Sequence, residues 1–195
     1  MDFQVKLPDG YKCVELTPQE FQPLVNHHAP RIFDDNSQIF RPHQFLSDEE
    51  KSKSDLLRLG LAGLYSLNLA IFYKGEFVAW CCGNQETADT FYMRNSAVLP
   101  EHRRKGLYTY MLKSALGILK EKGFQKVYSR HSASNNSVII PKLMAGFMIT
   151  SLEVNDVFGV LVHLTFYQKE LREKMLRYRV GDIRPDLEIR DCLKI

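Results

Sequence analysis

Val98-Leu99-Pro100-Glu101-His102-Arg103-Arg104-Lys105-Gly106-Leu107-Tyr108 lies near the middle of this 195-residue chain, and the rest is read outward from it. Upstream, Phe91, Met93, Ala97 and Leu99 alternate with Tyr92, Arg94, Ser96 and Val98, the period-two pattern of a strand, and Pro100 stops it. Downstream, Leu107, Met111, Ala115, Ile118 and Leu119 recur at the helical period, with Lys120 and Lys122 in the last turn and Gly123 as the stop. A helix start aims free N–H groups and the positive end of its dipole at the space over Arg104 to Tyr108. Gly106 lets a ligand approach the backbone, and Arg103, Arg104 and Lys105 add positive charge. The expectation is a phosphate or pyrophosphate site. Taken alone, the element reads equally well as a basic turn before a surface helix.

The residues that follow separate these readings. Phe124 to His131 forms a short strand in which Val127, Ser129 and His131 alternate with Lys126, Tyr128 and Arg130. The polar run Ser132 to Asn136 starts a helix through Met144, closed by Gly146-Phe147. The order strand, loop, helix, strand, helix, strand resembles that of the GCN5-related N-acetyltransferases (GNAT). Their acetyl-coenzyme A motif is Gln or Arg, two residues, Gly, one residue, Gly or Ala; Arg103, Gly106 and Tyr108 hold those positions. Their second signature, an Asn followed at a fixed distance by Gly-Phe, is matched by Asn135 with Gly146-Phe147. By order of elements the resemblance runs from Asn68 to Phe166.

The resemblance implies an α/β fold, with a mixed, mostly antiparallel central sheet of about six to seven strands flanked by helices. A splayed strand pair would form the cofactor cleft. Acetyl-coenzyme A would be the acyl donor, its pyrophosphate on the N–H groups of Arg104, Lys105, Gly106, Leu107 and Tyr108. Its pantetheine arm would bond main chain near Ala97 and Val98, with the thioester carbonyl near the Val98 N–H. Asn135 would contact the arm or order the second helix. Two positions depart from the family pattern. Tyr108 stands where a small residue is usual. Lys142 stands where many members carry the Tyr that protonates the departing thiolate, and a lysine of ordinary pKa is a weak acid near neutrality. Nor does a glutamate lie between Thr90 and Pro100, where members often keep their base. His131 is the candidate base, with Glu86 and Asp89 as lesser options. The plainer readings are a strand-end histidine and a solvent-facing lysine.

Hydrophobic residues at 45% and charged residues at 25% fit a globular chain with one core, and residues 1–195 are read as one domain. A net charge of +3 is too small to argue for a nucleic-acid partner. No apolar run reaches the roughly 18 residues of a membrane helix, and Met1 to Lys6 lacks a signal-peptide core, so the expected location is cytoplasmic and no membrane partner is expected. Cys13, Cys81, Cys82 and Cys192 have neither zinc nor disulfide spacing, and His27 and His28 point apart on a helix, so no metal is expected.

In chain order, Tyr11 to Leu16 reads as a first strand, and Thr17-Pro18-Gln19-Glu20 and Ser47-Asp48-Glu49-Glu50 as capping boxes. The second box opens a helix through Leu56, Leu57, Leu59 and Leu64. Between the two helices Ala29 to Phe45 is irregular, and its Asp34-Asp35-Asn36 loop is a connection or a cover for an acceptor site. Asn68 to Tyr73 and Phe77 to Cys82 are apolar runs joined by Lys74-Gly75-Glu76, a hairpin in a sheet covered on both faces. Val154 to Val157 separates two last strands, and His163 in the run Phe158 to Phe166 is read as a strand residue. A charged helix from Gln168 precedes an extended tail with Pro185. Its Met175, Leu176 and Tyr178 would dock a second copy, making a homodimer, or the domain's own back.

The function expected from the resemblance is transfer of acetyl to a primary amine of a small molecule. Direct attack is favoured because no cysteine lies in the motifs to carry an acyl intermediate. The absent Tyr and Glu leave open a non-catalytic acyl-coenzyme A binding or regulatory module of the same fold.

Overall fold

The computed structural model describes residues 6–33 and 40–195, so the Asp34-Asp35-Asn36 turn lies outside the described residues. Strands β1 (Tyr11–Glu15), β2 (Ser66–Tyr73), β3 (Glu76–Gln85), β4 (Thr90–Val98), β5 (Lys126–Ser132), β6 (Met148–Asn155) and β7 (Gly159–Tyr167) form one sheet in the order β1-β2-β3-β4-β5-β7-β6. Every neighbouring pair is antiparallel except β4 and β5. Six α-helices are present among the described residues: α1 (Pro18–His28), α2 (Asp48–Leu59), α3 (Leu107–Glu121), α4 (Asn136–Met144), α5 (Glu170–Arg179) and α6 (Leu187–Leu193). This is the mixed, mostly antiparallel sheet anticipated from the sequence.

The two apolar runs become β2 and β3, buried on both faces as continuous hydrophobicity requires. Lys74 and Gly75, with φ of 50° and 90°, turn the chain in the conformation that matches strand twist. On one face α3 lays Leu107, Met111, Leu112, Ala115 and Leu119 against the sheet. A fully buried Leu or Met contributes about 1.5 to 3 kcal/mol, so this face outweighs the roughly 1 kcal/mol that Gly117 costs inside the helix. On the other face Phe21 of α1 packs with Phe77, Trp80 and Ala97.

β4 and β5 pair only at Thr90↔Lys126, Phe91↔Val127 and Tyr92↔Tyr128, then part. The reason lies in β4. Its register against β3 goes from Gly83↔Met93 to Cys82↔Asn95, which leaves Arg94 as the extra residue of a β-bulge. The bulge corrects one reading of the sequence: Ala97 does not share a face with Phe91 and Met93, because the extra residue reverses the alternation. Opposite the bulge, a Cβ on Gly83 would overlap the Tyr92 carbonyl oxygen and lie 2.5 Å from the Phe91 ring. Only glycine fits there.

Three other expectations are corrected. α2 stops at Leu59 with Gly60 as its cap, short of Leu64, and Leu56, Leu57 and Leu59 face solvent. β6 runs on through Asn155, whose Oδ1 accepts the N–H groups of Val157 and Phe158 at 3.0 Å each and makes the turn. The tail is not extended. Asp186 caps α6 by accepting the Ile189 N–H at 2.9 Å, Ile189 is buried, and Lys174 of α5 reaches Glu188 at 2.8 Å. The charged helix α5 thus rests against β7 and α6 of its own chain.

Candidate active site

Gly106, at φ +79°, opens α3 in the left-handed conformation, and Arg104 before it is also left-handed at +58°. The first bond of the helix runs from the Tyr110 N–H to the Gly106 carbonyl at 2.9 Å, so the N–H groups of Leu107, Tyr108 and Thr109 precede it. A Cβ on Gly106 would meet nothing within 4 Å, which leaves open space over the helix start. The loop is pinned at its base, with Tyr11 Oη 2.8 Å from His102 Nδ1 and Arg31 donating to Glu101 at 2.7 Å. Arg103 turns back, its Nε donating to the Val98 carbonyl at 3.1 Å, while Lys105 Nζ donates to the Glu101 carbonyl at 3.1 Å. Arg103 therefore ties the loop to the end of β4. The Tyr108 side chain points away from the loop into the core, where its buried hydroxyl has no hydrogen-bond partner among the described residues. Burial raises its pKa.

The gap between β4 and β5 exposes main-chain groups in a fixed alternation. Leu99 N–H donates to the Val78 carbonyl at 2.9 Å, so Leu99 and, two residues back, Ala97 bond to β3. Ser96 and Val98 face the gap instead. The Val98 carbonyl is taken by Arg103, and the Val98 N–H is directed into the opening. Of the two residues expected to present main chain there, Val98 is turned to the gap and Ala97 to β3, with Ser96 in the gap-facing position instead.

Lys142 of α4 reaches both strands of the pair, contacting Met93 of β4 and Ser129 of β5. The end of α4 explains its position: the Phe147 N–H bonds the Lys142 carbonyl and the Gly146 N–H bonds the Leu143 carbonyl, both at 3.0 Å, with Gly146 left-handed at +92°. This is a Schellman closure. It folds Phe147 under the helix, with the Lys142 ammonium 4.6 Å from the ring centroid. Lys142 is not solvent-facing. It is 2% exposed, and its Nζ donates to Ser129 Oγ at 2.7 Å and contacts Met93 Sδ at 3.6 Å. No carboxylate among the described residues pairs with it, and desolvation brings its pKa down to about 7. Ser129 Oγ also lies 2.9 Å from His131 Nε2, so the three side chains form a continuous chain. Burial first, then the Lys142 charge, lower the His131 pKa to about 3, which keeps its ring neutral. Sequence reading missed Ser129, although it shares the inward parity of Val127 and His131.

His131 and Asn135 line a cavity of about 740 Å³ between α1, the bulge of β4, the end of β5 and the β6–β7 turn. Asn135 Oδ1 accepts from Ser137 Oγ at 2.7 Å and its carbonyl from the Ile139 N–H at 3.0 Å, so it orders the start of α4. The lesser base candidates are placed elsewhere. Glu86 accepts from Tyr128 Oη at 2.6 Å, and the Asp89 carbonyl accepts the Gln125 and Lys126 N–H groups at the closed end of the strand pair. His163 is a strand residue whose Nε2 lies 2.6 Å from Glu153, which also binds Arg130. Cys82 lines the cavity and Cys81 lies beneath it; burial raises both thiols, Cys81 to about 11, so neither supplies a thiolate nucleophile at neutral pH.

A left-handed glycine opening a helix, a splayed parallel pair and a bulged central strand occur together here, and a sequence model described as the acetyltransferase (GNAT) family matches residues 29–139. The chain belongs to the GNAT acetyltransferase family. It is an acyltransferase by that membership. No curated protein matches the sequence. Solved GNAT structures share the fold at low identity. The ribosomal-protein-S18-alanine N-acetyltransferase of Escherichia coli superposes with a TM-score of 0.60 at 20% identity, over 80% of this chain and 93% of that one. Ard1 of Thermoplasma volcanium gives 0.58 at 14% identity, over 83% and 99%. The yncA protein of Salmonella typhimurium, solved with its cofactor acetyl-CoA, gives 0.55 at 15% identity, over 83% and 96%. Among the described residues of this GNAT protein, no helix is long and apolar enough to cross a membrane.

Proposed function

We propose that the protein is an acetyl-CoA-dependent N-acetyltransferase that acetylates a primary amine of a small molecule by direct attack in a ternary complex. The carrying observation is Lys142, a buried amine of near-neutral pKa at the position where the family places its acid, joined through Ser129 to His131 on the wall of the cavity. Free cysteines agree with action in the cytoplasm.

The residues fit the donor. The cradle over Gly106 is open, and the Tyr108 side chain, turned into the core, leaves it clear. Main-chain N–H groups from Arg104 to Tyr108 would hold the pyrophosphate, with Arg104 and Lys105 adding charge. Ser96 and Val98 would hold the pantetheine arm by main-chain bonds. When bound, acetyl-CoA supplies an activated acyl carbon and a thiol leaving group. The Val98 N–H is placed to stabilise negative charge on an acyl oxygen, an effect of about 3 kcal/mol for one donor elsewhere.

Lys142 Nζ holds the proton that the family's tyrosine would hold. Near neutrality it exchanges that proton readily, since its pKa of about 7 lies close to the operating pH. Ser129 Oγ, within hydrogen-bond reach of both partners, passes protons between His131 Nε2 and Lys142 Nζ. His131 is too weak a base to hold a proton for long at its pKa of about 3. It therefore conducts from the cavity, and Lys142 stores.

The test is the melting temperature against acetyl-CoA, CoA and dephospho-CoA. A ligand at about a hundred times its dissociation constant adds roughly 2.7 kcal/mol, or some 5 to 10 °C for a chain of this size. The expected result is such a shift for acetyl-CoA, abolished in Gly106→Glu, whose carboxylate would occupy the open cradle. No shift at millimolar ligand in the wild-type protein would reject the donor site.

A further inference from the structure

The acceptor end of the cavity has a charge pattern that specifies its guest. Among the described residues its lining includes no Asp or Glu, but two arginines, Arg94 and Arg130. Arg130 is already neutralised: Nη1 lies 3.3 Å from Glu153 Oε1 and the guanidinium bonds Tyr92 Oη at 3.3 to 3.4 Å. Arg94 is different. It is the unpaired residue of the β4 bulge, the device that re-aims a side chain out of a sheet's regular alternation. Its solvent-exposed side chain borders both this cavity and a smaller pocket beside Gly83 and Asn84, pairs with no carboxylate among the described residues, and lies 4.0 Å from Cys82 Sγ. The wall includes an apolar part, Phe21, Val25, Phe33, Phe158 and Leu161, beside neutral polar side chains such as Gln22, Asn95 and Ser96.

We infer that the acceptor is a small amino acid with an apolar side chain, its carboxylate held by Arg94 and its amine directed toward the gap beside His131. This rests on the acetyltransferase reading above and narrows its substrate. A guanidinium fork matches a carboxylate with two parallel hydrogen bonds. Polyamines, aminoglycosides and lysine-rich peptides would bring further cations to a cavity that already carries one and, among the described residues, lines itself with no carboxylate, so they are disfavoured. A sugar phosphate would satisfy Arg94 but bring no apolar body to Phe21, Val25, Phe33, Phe158 and Leu161. The carboxylate and the apolar body together fit both features.

The experiment follows thiol release from acetyl-CoA with L-leucine, L-phenylalanine, L-leucinamide, L-phenylalaninamide, glucosamine 6-phosphate and spermidine, in the wild type and in Arg94→Gln. The amides keep the amine and the body but lose the carboxylate. Expected is a kcat/KM for the free amino acids about tenfold or more above their amides, with that ratio collapsing toward one in Arg94→Gln. The acetyl-CoA melting shift should persist in Arg94→Gln, which shows that the variant is folded and loaded. Preference for spermidine, for the sugar phosphate or for the amides overturns the inference, as does an acid preference that survives in the variant. Turnover of none of the amino acids at millimolar concentration overturns it as well. If acetyl-CoA fails to shift the wild-type melt, the fault lies instead with the acetyltransferase reading.

Discussion

Lys142→Met should raise the melting temperature at pH 6 while lowering acetyl transfer by about two to four orders of magnitude, the usual contribution of a positioned acid. The two effects have one cause. Lys142 is 2% exposed, with a serine hydroxyl and a thioether as its contacts, and burial moves its pKa from 10.5 to about 7. A folded-state pKa below the unfolded value means that the native state binds fewer protons between pH 7 and 10.5. Stability therefore rises with pH across that window, and the penalty for burying the charge is largest below pH 7. At 1.36 kcal/mol per pKa unit the full penalty is roughly 5 kcal/mol, of which Met, similar in length and apolar, should recover about 2 kcal/mol. For a chain of this size that is about 4 to 8 °C. Melts at pH 6, 8 and 10 should show the variant ahead at pH 6 and the gap closing by pH 10. A variant less stable at every pH would mean that the ammonium is well solvated in the folded protein.

Gly83→Ala should cost about 3 kcal/mol or more and disable the site from the opposite strand. The added methyl would overlap the Tyr92 carbonyl oxygen and press on the Phe91 ring, and neither is the free end of a flexible side chain. Relief requires moving β3 away from the β4 bulge, and the bulge is what lets β4 leave β5 after Tyr92. The measurement is a denaturant midpoint together with the acetyl-CoA melting shift. Both should fall, whereas Gly117→Ala in α3, where a Cβ meets nothing within 4 Å, should be neutral or stabilising. An unchanged midpoint in Gly83→Ala would show that the close approach at the bulge is not real.

The parts of this site that were legible in the sequence are those made by local chemistry. Gly106 before an apolar helical repeat announces a helix start in the left-handed conformation, and Gly146-Phe147 announces a Schellman closure, because both depend on residues within a few positions of one another. The two-sided burial of β2 and β3 was legible for the same reason. The bulge was not. Alternation from Phe91 to Leu99 reads as unbroken, and the extra residue appears only when β4 is laid against β3, where Gly83 requires the close approach. The tail was misread because one buried residue, Ile189, carries its helix, and one apolar position gives no period.

The chemistry of Lys142 and His131 shows the same limit. In sequence Lys142 is a lysine near a helix end, next to a proline, with no sign of burial. Its near-neutral pKa arises from Met93 and Ser129, 49 and 13 residues away, and from the Phe147 ring beneath it. His131 looked like a base of suitable pKa, yet burial and the Lys142 charge lower it to about 3. Arg94 looked like an ordinary outward residue of a strand, and only the bulge turns it into the cavity.

The central claim is that a buried lysine replaces the family's tyrosine as the proton-holding group, and the ionisation of that one side chain tests it most directly. A ¹³C NMR titration of the lysine Cε resonances, with Lys142 assigned by its loss in Lys142→Met, reports its midpoint in the folded protein. The account predicts a midpoint near 7, well apart from the other lysines. A midpoint near 10.5, among the surface lysines, would contradict it.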